Sequence, residues 1–217
     1  MRFADTAAVL YLLTLAGWAQ GPDTAARVPK GCEQFTTIVD TASKPLASVT
    51  LPPRGICHSR AVSTGELLPD PGCTPGAINP TLTEAVLKNP AFRTGCVRND
   101  ATSEKDKATT YKWYQIKHPH KNQGPTQTCE LDHLIPLYLG GADTLDNIWP
   151  QCGPSGVHLD DRFFKEKDKV ELYLGQQVRQ GKMDLATAQR GIAEDWTKFM
   201  TDAERFCVSG KCEFRGQ

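Results

Sequence analysis

Apolar positions in the C-terminal half follow two rhythms. In "CELDHLIPLYLGGADTLDNIWPQC" (129–152), Leu131, Leu134, Ile135 and Leu137 form a dense run, broken by Pro136 and ended by Gly140-Gly141. A polar loop, "ADTLDN", leads to a second short run at Ile148-Trp149. Short apolar runs bounded by breakers predict buried strands. After a "GPSG" turn, Phe163, Val170, Leu174 and Val178 recur at offsets of 7, 4 and 4, one face of a helix. Asp160 or Asp161 is placed to cap that helix and Gly181 to end it. Asp184 then caps a second helix striped by Leu185, Ala188, Ile192, Trp196 and Phe199. Strand, loop, strand, helix, then a helix folding back, predicts an α+β core with a C-terminal αα-hairpin.

Upstream the pattern weakens. Residues 20–72 are rich in Pro, Gly, Ser and Thr, with two short β-like runs, Phe35 to Val39 and Ala47 to Leu51. Pro52-Pro53 and "LPDPG" (68–72) break any regular element, so a mostly irregular, cysteine-pinned segment is expected. Thr81 or Thr83 opens a short helix, "LTEAVLKNP", that Pro90 closes. In 103–118, Tyr111, Tyr114 and Ile116 are the expected packed residues, and Trp113 is read as core too. At the start, Arg2, the apolar run Ala7 to Leu15 and small residues at Gly17 and Ala19 match a signal peptide cleaved after Ala19. That run is too short to span a bilayer. The expected organisation is a signal peptide (1–19), an N-terminal segment (20–72) and a domain (73–217), its strand-strand-helix unit near 129–180.

Cysteine usage fits export. Cys32, Cys57, Cys73, Cys96, Cys129, Cys152, Cys207 and Cys212 all follow the cleavage point, and none forms a CxxC pair. An even set in a secreted chain predicts four disulfides. Short loops favour pairing in order: 32–57, 73–96, 129–152 and 207–212. Composition (39% apolar, 23% charged) is that of a globular chain, and 25 basic against 25 acidic residues give zero formal net charge. That balance argues against a broad basic surface and leaves room only for a local basic groove.

The chemistry concentrates at Asp132-His133. A carboxylate beside an imidazole offers a hard-metal ligand and a general base suited to neutral pH. Neighbours on a strand face opposite ways, so both serve one pocket only if the strand ends or bulges there. A satisfied core histidine is the plainer alternative. Asn147 stands 14 positions after His133, just before the second run. The string "ELDHLIPLYLGG…DNIWPQ" resembles the HNH (ββα-metal) endonuclease signature. A wider likeness over about 68–205, through "CTPG", "KDKVE" and "AQRGIAEDW", is to exported HNH-like proteins.

The resemblance implies that His133 is the base activating water, Asn147 holds the loop, and Asp132 is one of a pair of metal ligands. The second ligand departs from the pattern. Nine residues after Asn147 stands Gly156, so His158 is the nearest candidate, followed by Asp161. Asp168 and Glu171 read as surface partners of Lys165, Lys167 and Lys169. The implied function is a secreted nuclease that hydrolyses phosphodiester bonds in DNA or RNA with a divalent metal ion (Mg²⁺, Mn²⁺ or Zn²⁺). The alternative is a catalytically degenerate exported binding module. No membrane partner is expected. His118-Pro119-His120, flanked by Lys117 and Lys121, is suited to touching phosphate or is simply a solvated loop.

Overall fold

Strands β3 (Cys129–His133) and β4 (Ile148–Cys152) form an antiparallel hairpin, in register from Cys129 opposite Cys152 to His133 opposite Ile148. This computed structural model describes residues 28–42, 56–99, 107–208 and 212; the signal peptide expected at 1–19 and the run at 47–51 lie outside them. The dense apolar run is strand only as far as His133. Leu134 and Ile135 follow it, Pro136 has no N–H to continue a ladder, and a 3₁₀ turn at Leu137–Leu139 ends on Gly140 in the left-handed region (φ 80°).

The long helix after the hairpin, α4, covers Phe163–Arg179. Asp160 and Asp161 lie in a separate 3₁₀ turn before it, and Arg162 holds the N-cap position instead of an acid. Gly181 follows the helix with φ 67°, as a left-handed stop requires. Helix α5 (Leu185–Asp195) is capped by Asp184, whose side chain accepts from the Thr187 N–H at 2.8 Å. A 3₁₀ turn at Trp196–Phe199 separates it from helix α6 (Met200–Phe206), which packs on α4. Tyr138, Leu139, Val170, Leu174, Val178, Ala188, Ile192 and Trp196 form the core between these elements. Each of the Leu, Val and Ile side chains among them, withdrawn from water, contributes about 1.5–3 kcal/mol before the entropy cost.

Several short elements precede the hairpin. Strands β1 (Arg60–Ala61) and β2 (Leu67–Leu68) pair antiparallel, and Trp196 Nε1 donates to Leu67 O at 3.1 Å, tying this ribbon to the helices. Helix α2 (Glu84–Lys88) is capped by Thr83. Helix α3 (Thr109–Trp113) buries Tyr111 and Trp113.

Two expectations need correction. The run Phe35 to Val39 is no strand: a 3₁₀ turn (Glu33–Phe35) leads into helix α1 (Thr36–Ala42). Phe35, Ile38 and Val39 also satisfy i, i+3, i+4 spacing, and they pack against Leu82, Leu87 and Phe92. The disulfides join Cys32–Cys96, Cys57–Cys73, Cys129–Cys152 and Cys207–Cys212, so pairing in order fails for the first four cysteines. Their apolar surroundings decide the pairing. Cys32 and Cys96 sit with Phe35 and Phe92, whereas Cys57 and Cys73 sit with Trp113 and Trp149. Among the described residues, no helix is long and apolar enough to cross a membrane.

Candidate functional site

Asn147 is fully buried, the last residue of a 3₁₀ turn (Leu145–Asn147) that leads into β4, and it ties the loop to the chain that follows β3. Its Nδ2 donates to Ile135 O and Ala142 O, both at 2.8 Å, while its Oδ1 accepts from Ile135 N at 2.9 Å. Its backbone oxygen accepts from Leu134 N at 2.8 Å. One amide thus satisfies polar backbone groups that the end of the β3–β4 ladder would leave open. Packing closes the loop too. A Cβ on Gly141 would stand 1.8 Å from Ile135 O, so no other residue fits without moving the chain.

The loop carries Asp143 to His133. His133 Nε2 lies 2.8 Å from Asp143 Oδ1; the imidazole side chain is 15% exposed and the carboxylate 1%. Asp143 also accepts from the Asn99 backbone N–H at 2.7 Å and lies 3.1 Å from Lys107 Nζ. Burial alone would raise the Asp143 pKa. The hydrogen bond and charge of His133, with Asn99 and Lys107, outweigh burial and hold it well below the usual carboxylate range. Since an ionised carboxylate only accepts, Nε2 carries a proton whether the ring is charged or neutral, and in the neutral ring the lone pair is therefore on Nδ1.

Asp132 belongs to a different set of contacts. Strand alternation sends Glu130 and Asp132 to one face and His133 to the other. Asp132 Oδ2 lies 2.8 Å from Lys167 Nζ on α4, and Lys165 Nζ lies 3.9 Å from Glu130. Lys167, 0% exposed, also pairs with Glu171 and donates to His133 O at 2.7 Å. Tyr138 Oη donates to the other Glu171 oxygen at 3.1 Å, and Lys165 pairs with Asp168 at 2.8 Å. Four carboxylates here share two ammonium groups. Burial alone would lower Lys167, but Asp132 and Glu171 override it and keep the ammonium charged. The surplus acid shows elsewhere: burial, with the charges of Asp132 and Asp168, pushes Glu130 up to about 7. Burial also pushes Glu171 up to about 8, despite the pull of Lys167.

Asp132 and His133 therefore sit back to back. His158 is exposed at the N-cap of the turn Leu159–Asp161, and Asp161 is exposed within that turn. A divalent ion needs several converging donors with an open position for substrate. Among the described residues, no three His, Cys, Asp or Glu side chains converge in that way, and Asp132 is already neutralised by an ammonium. These side chains as folded do not suit a resident divalent ion.

No family model, no curated protein and no solved structure matches this chain. Two residues escaped the sequence reading. Asp143 had only its place in a polar interstrand loop as a signal. Lys167 had a clearer one, since Phe164, Lys167, Val170, Glu171 and Leu174 continue the buried stripe at spacings of 3 and 4. The surface pairing expected of Lys167 and Glu171 is thus corrected: both are buried.

Proposed function

We propose that the chain is an exported hydrolase of HNH-like type that cleaves phosphodiester bonds in DNA or RNA, with His133 as general base. The observation that carries this is the His133–Asp143 pair, presented beside a loop that Asn147 locks at the end of the hairpin. With Nε2–H held by Asp143, Nδ1 takes a proton from water or from a ribose hydroxyl, and the carboxylate stabilises the imidazolium that results. Base catalysis of this kind is worth roughly 10²–10⁴-fold. Four disulfides and the N-terminal apolar run support export. The test is incubation of oxidised protein with plasmid and with RNA, in chelator and in Mg²⁺, Mn²⁺ or Zn²⁺. Cutting is expected to persist in chelator, to vanish in His133→Ala and to fall sharply in Asp143→Asn. Undiminished cutting by His133→Ala removes the assignment.

A second reading, an exported HNH-like binding module without catalysis, is favoured by the Lys167–Asp132 pair. In that reading the ammonium holds the scaffold where a nuclease would keep a metal ligand free. Native protein that cuts neither substrate under any of these conditions would remove the nuclease reading and leave this one standing.

A further inference from the structure

At the disulfide-linked end of the hairpin is a cavity of about 560 Å³, open on one side. Four basic side chains line it: Lys117, His118, His120 and Arg162. No carboxylate is among the lining residues, in a protein with zero formal net charge. Three of the four are exposed; Arg162 is 6% exposed. Arg162 donates one N–H to Pro154 O, its Nε has no partner, and it has no acidic partner among the described residues. A buried guanidinium without a counter-charge is costly, and an anion in the adjoining cavity would relieve that cost. The rest of the wall is mostly apolar, formed by Ile116, Pro119 and the Cys129–Cys152 disulfide with Thr128 and Ser155 beside them, while Tyr111 lies against the His118 ring at 4.6 Å. Apolar walls with a basic rim suit a flat ring that carries a phosphate.

We infer that this cavity is a nucleotide-binding subsite, in which Arg162, Lys117 and His120 hold a phosphate and the apolar wall takes a base. The inference deepens the phosphodiesterase reading and rests on it for the ligand class. The subsite lies one strand length from His133, about 13 Å at the usual rise per residue, so it grips the substrate away from the bond that is cut.

The experiment uses full-length, oxidised His133→Ala protein, titrated with 5′-AMP, inorganic phosphate and adenosine while the His118 and His120 ring resonances are followed by NMR. 5′-AMP should bind and shift both, phosphate should bind more weakly, and adenosine should not bind. Adding Lys117→Ala and His120→Ala, both at exposed positions, should weaken 5′-AMP binding roughly tenfold or more. No binding of 5′-AMP at millimolar concentration overturns the subsite, as does affinity unchanged by the double substitution. Equal affinity for phosphate and 5′-AMP overturns the nucleotide assignment. Nucleotide binding by a native protein that cuts nothing keeps the subsite and discards catalysis. Cutting whose KM is unchanged by the double substitution keeps catalysis and discards the subsite.

Discussion

Replacing Lys167 with methionine keeps the unbranched apolar stem of the side chain, one atom shorter, and deletes one buried charge. In the native protein that ammonium lies 2.8 Å from Asp132, contacts Glu171 and donates to the His133 carbonyl. Without it, two carboxylates with side chains only 8% and 10% exposed lose their cation. Removing one partner from a buried pair costs about 3–5 kcal/mol, because the other charge stays uncompensated. At about 2–4 °C per kcal/mol for a chain of this size, Lys167→Met should lower Tm by about 6–20 °C. The assay is thermal unfolding followed by near-UV circular dichroism, with disulfides intact, at pH 8 and pH 5. The loss should shrink at pH 5, well below the value of about 8 to which burial pushes Glu171, because that side chain then carries a proton and needs no cation. Adding Asp132→Asn and Glu171→Gln should recover most of it, a coupling that a double-mutant comparison reads directly. A drop below about 2 °C at pH 8, under 1 kcal/mol on the same conversion, would refute the claim that one ammonium balances this cluster.

Glu130 tests the same cluster through pH. Its folded pKa of about 7 exceeds the ordinary carboxylate value, so the folded state holds a proton that the unfolded chain releases near pH 4–5. Its contribution is therefore lost as pH rises between those values. Tm of the native protein should fall from pH 5 to pH 8 more steeply than that of Glu130→Gln, and superimposable profiles would count against this. Gly141→Ala should destabilise by about 3 kcal/mol, the upper end for overpacking, because its methyl group meets the Ile135 carbonyl; a denaturant midpoint within error of native would contradict that. Turnover assays of His133→Ala and Asp143→Asn should separate the groups, with the first abolishing cutting and the second leaving a residue of it.

How much was legible in the chain depended on how local each cause was. The hairpin, the Gly181 stop and the Asp184 cap each arise from a few neighbouring residues, and each stands where its pattern put it. The strand was over-extended past His133, since Leu134 and Ile135 are buried by the turn rather than by the ladder. Helix α1 was missed because Phe35 to Val39 satisfies both periods, and its packing against Phe92 chose between them. The first two disulfides depend on which apolar cluster each cysteine joins, a tertiary fact that loop length does not encode. At the site, the alternation rule carried the decisive condition: with β3 regular through His133, Asp132 and His133 part company. Lys167 was misjudged because charge was taken as a sign of exposure, although its spacing marked the buried face.

The Cys32–Cys96 link encloses 64 residues of sequence separation. A chain-entropy model credits a closure of that length with about 4 kcal/mol, through fewer conformations of the unfolded chain. It also alters the outcome of proteolysis. A single backbone nick between the two cysteines leaves both fragments on one molecule, and such damage stays invisible by size until a reductant parts them. Comparing gels run with and without thiol would therefore reveal severed chains that still travel as intact protein.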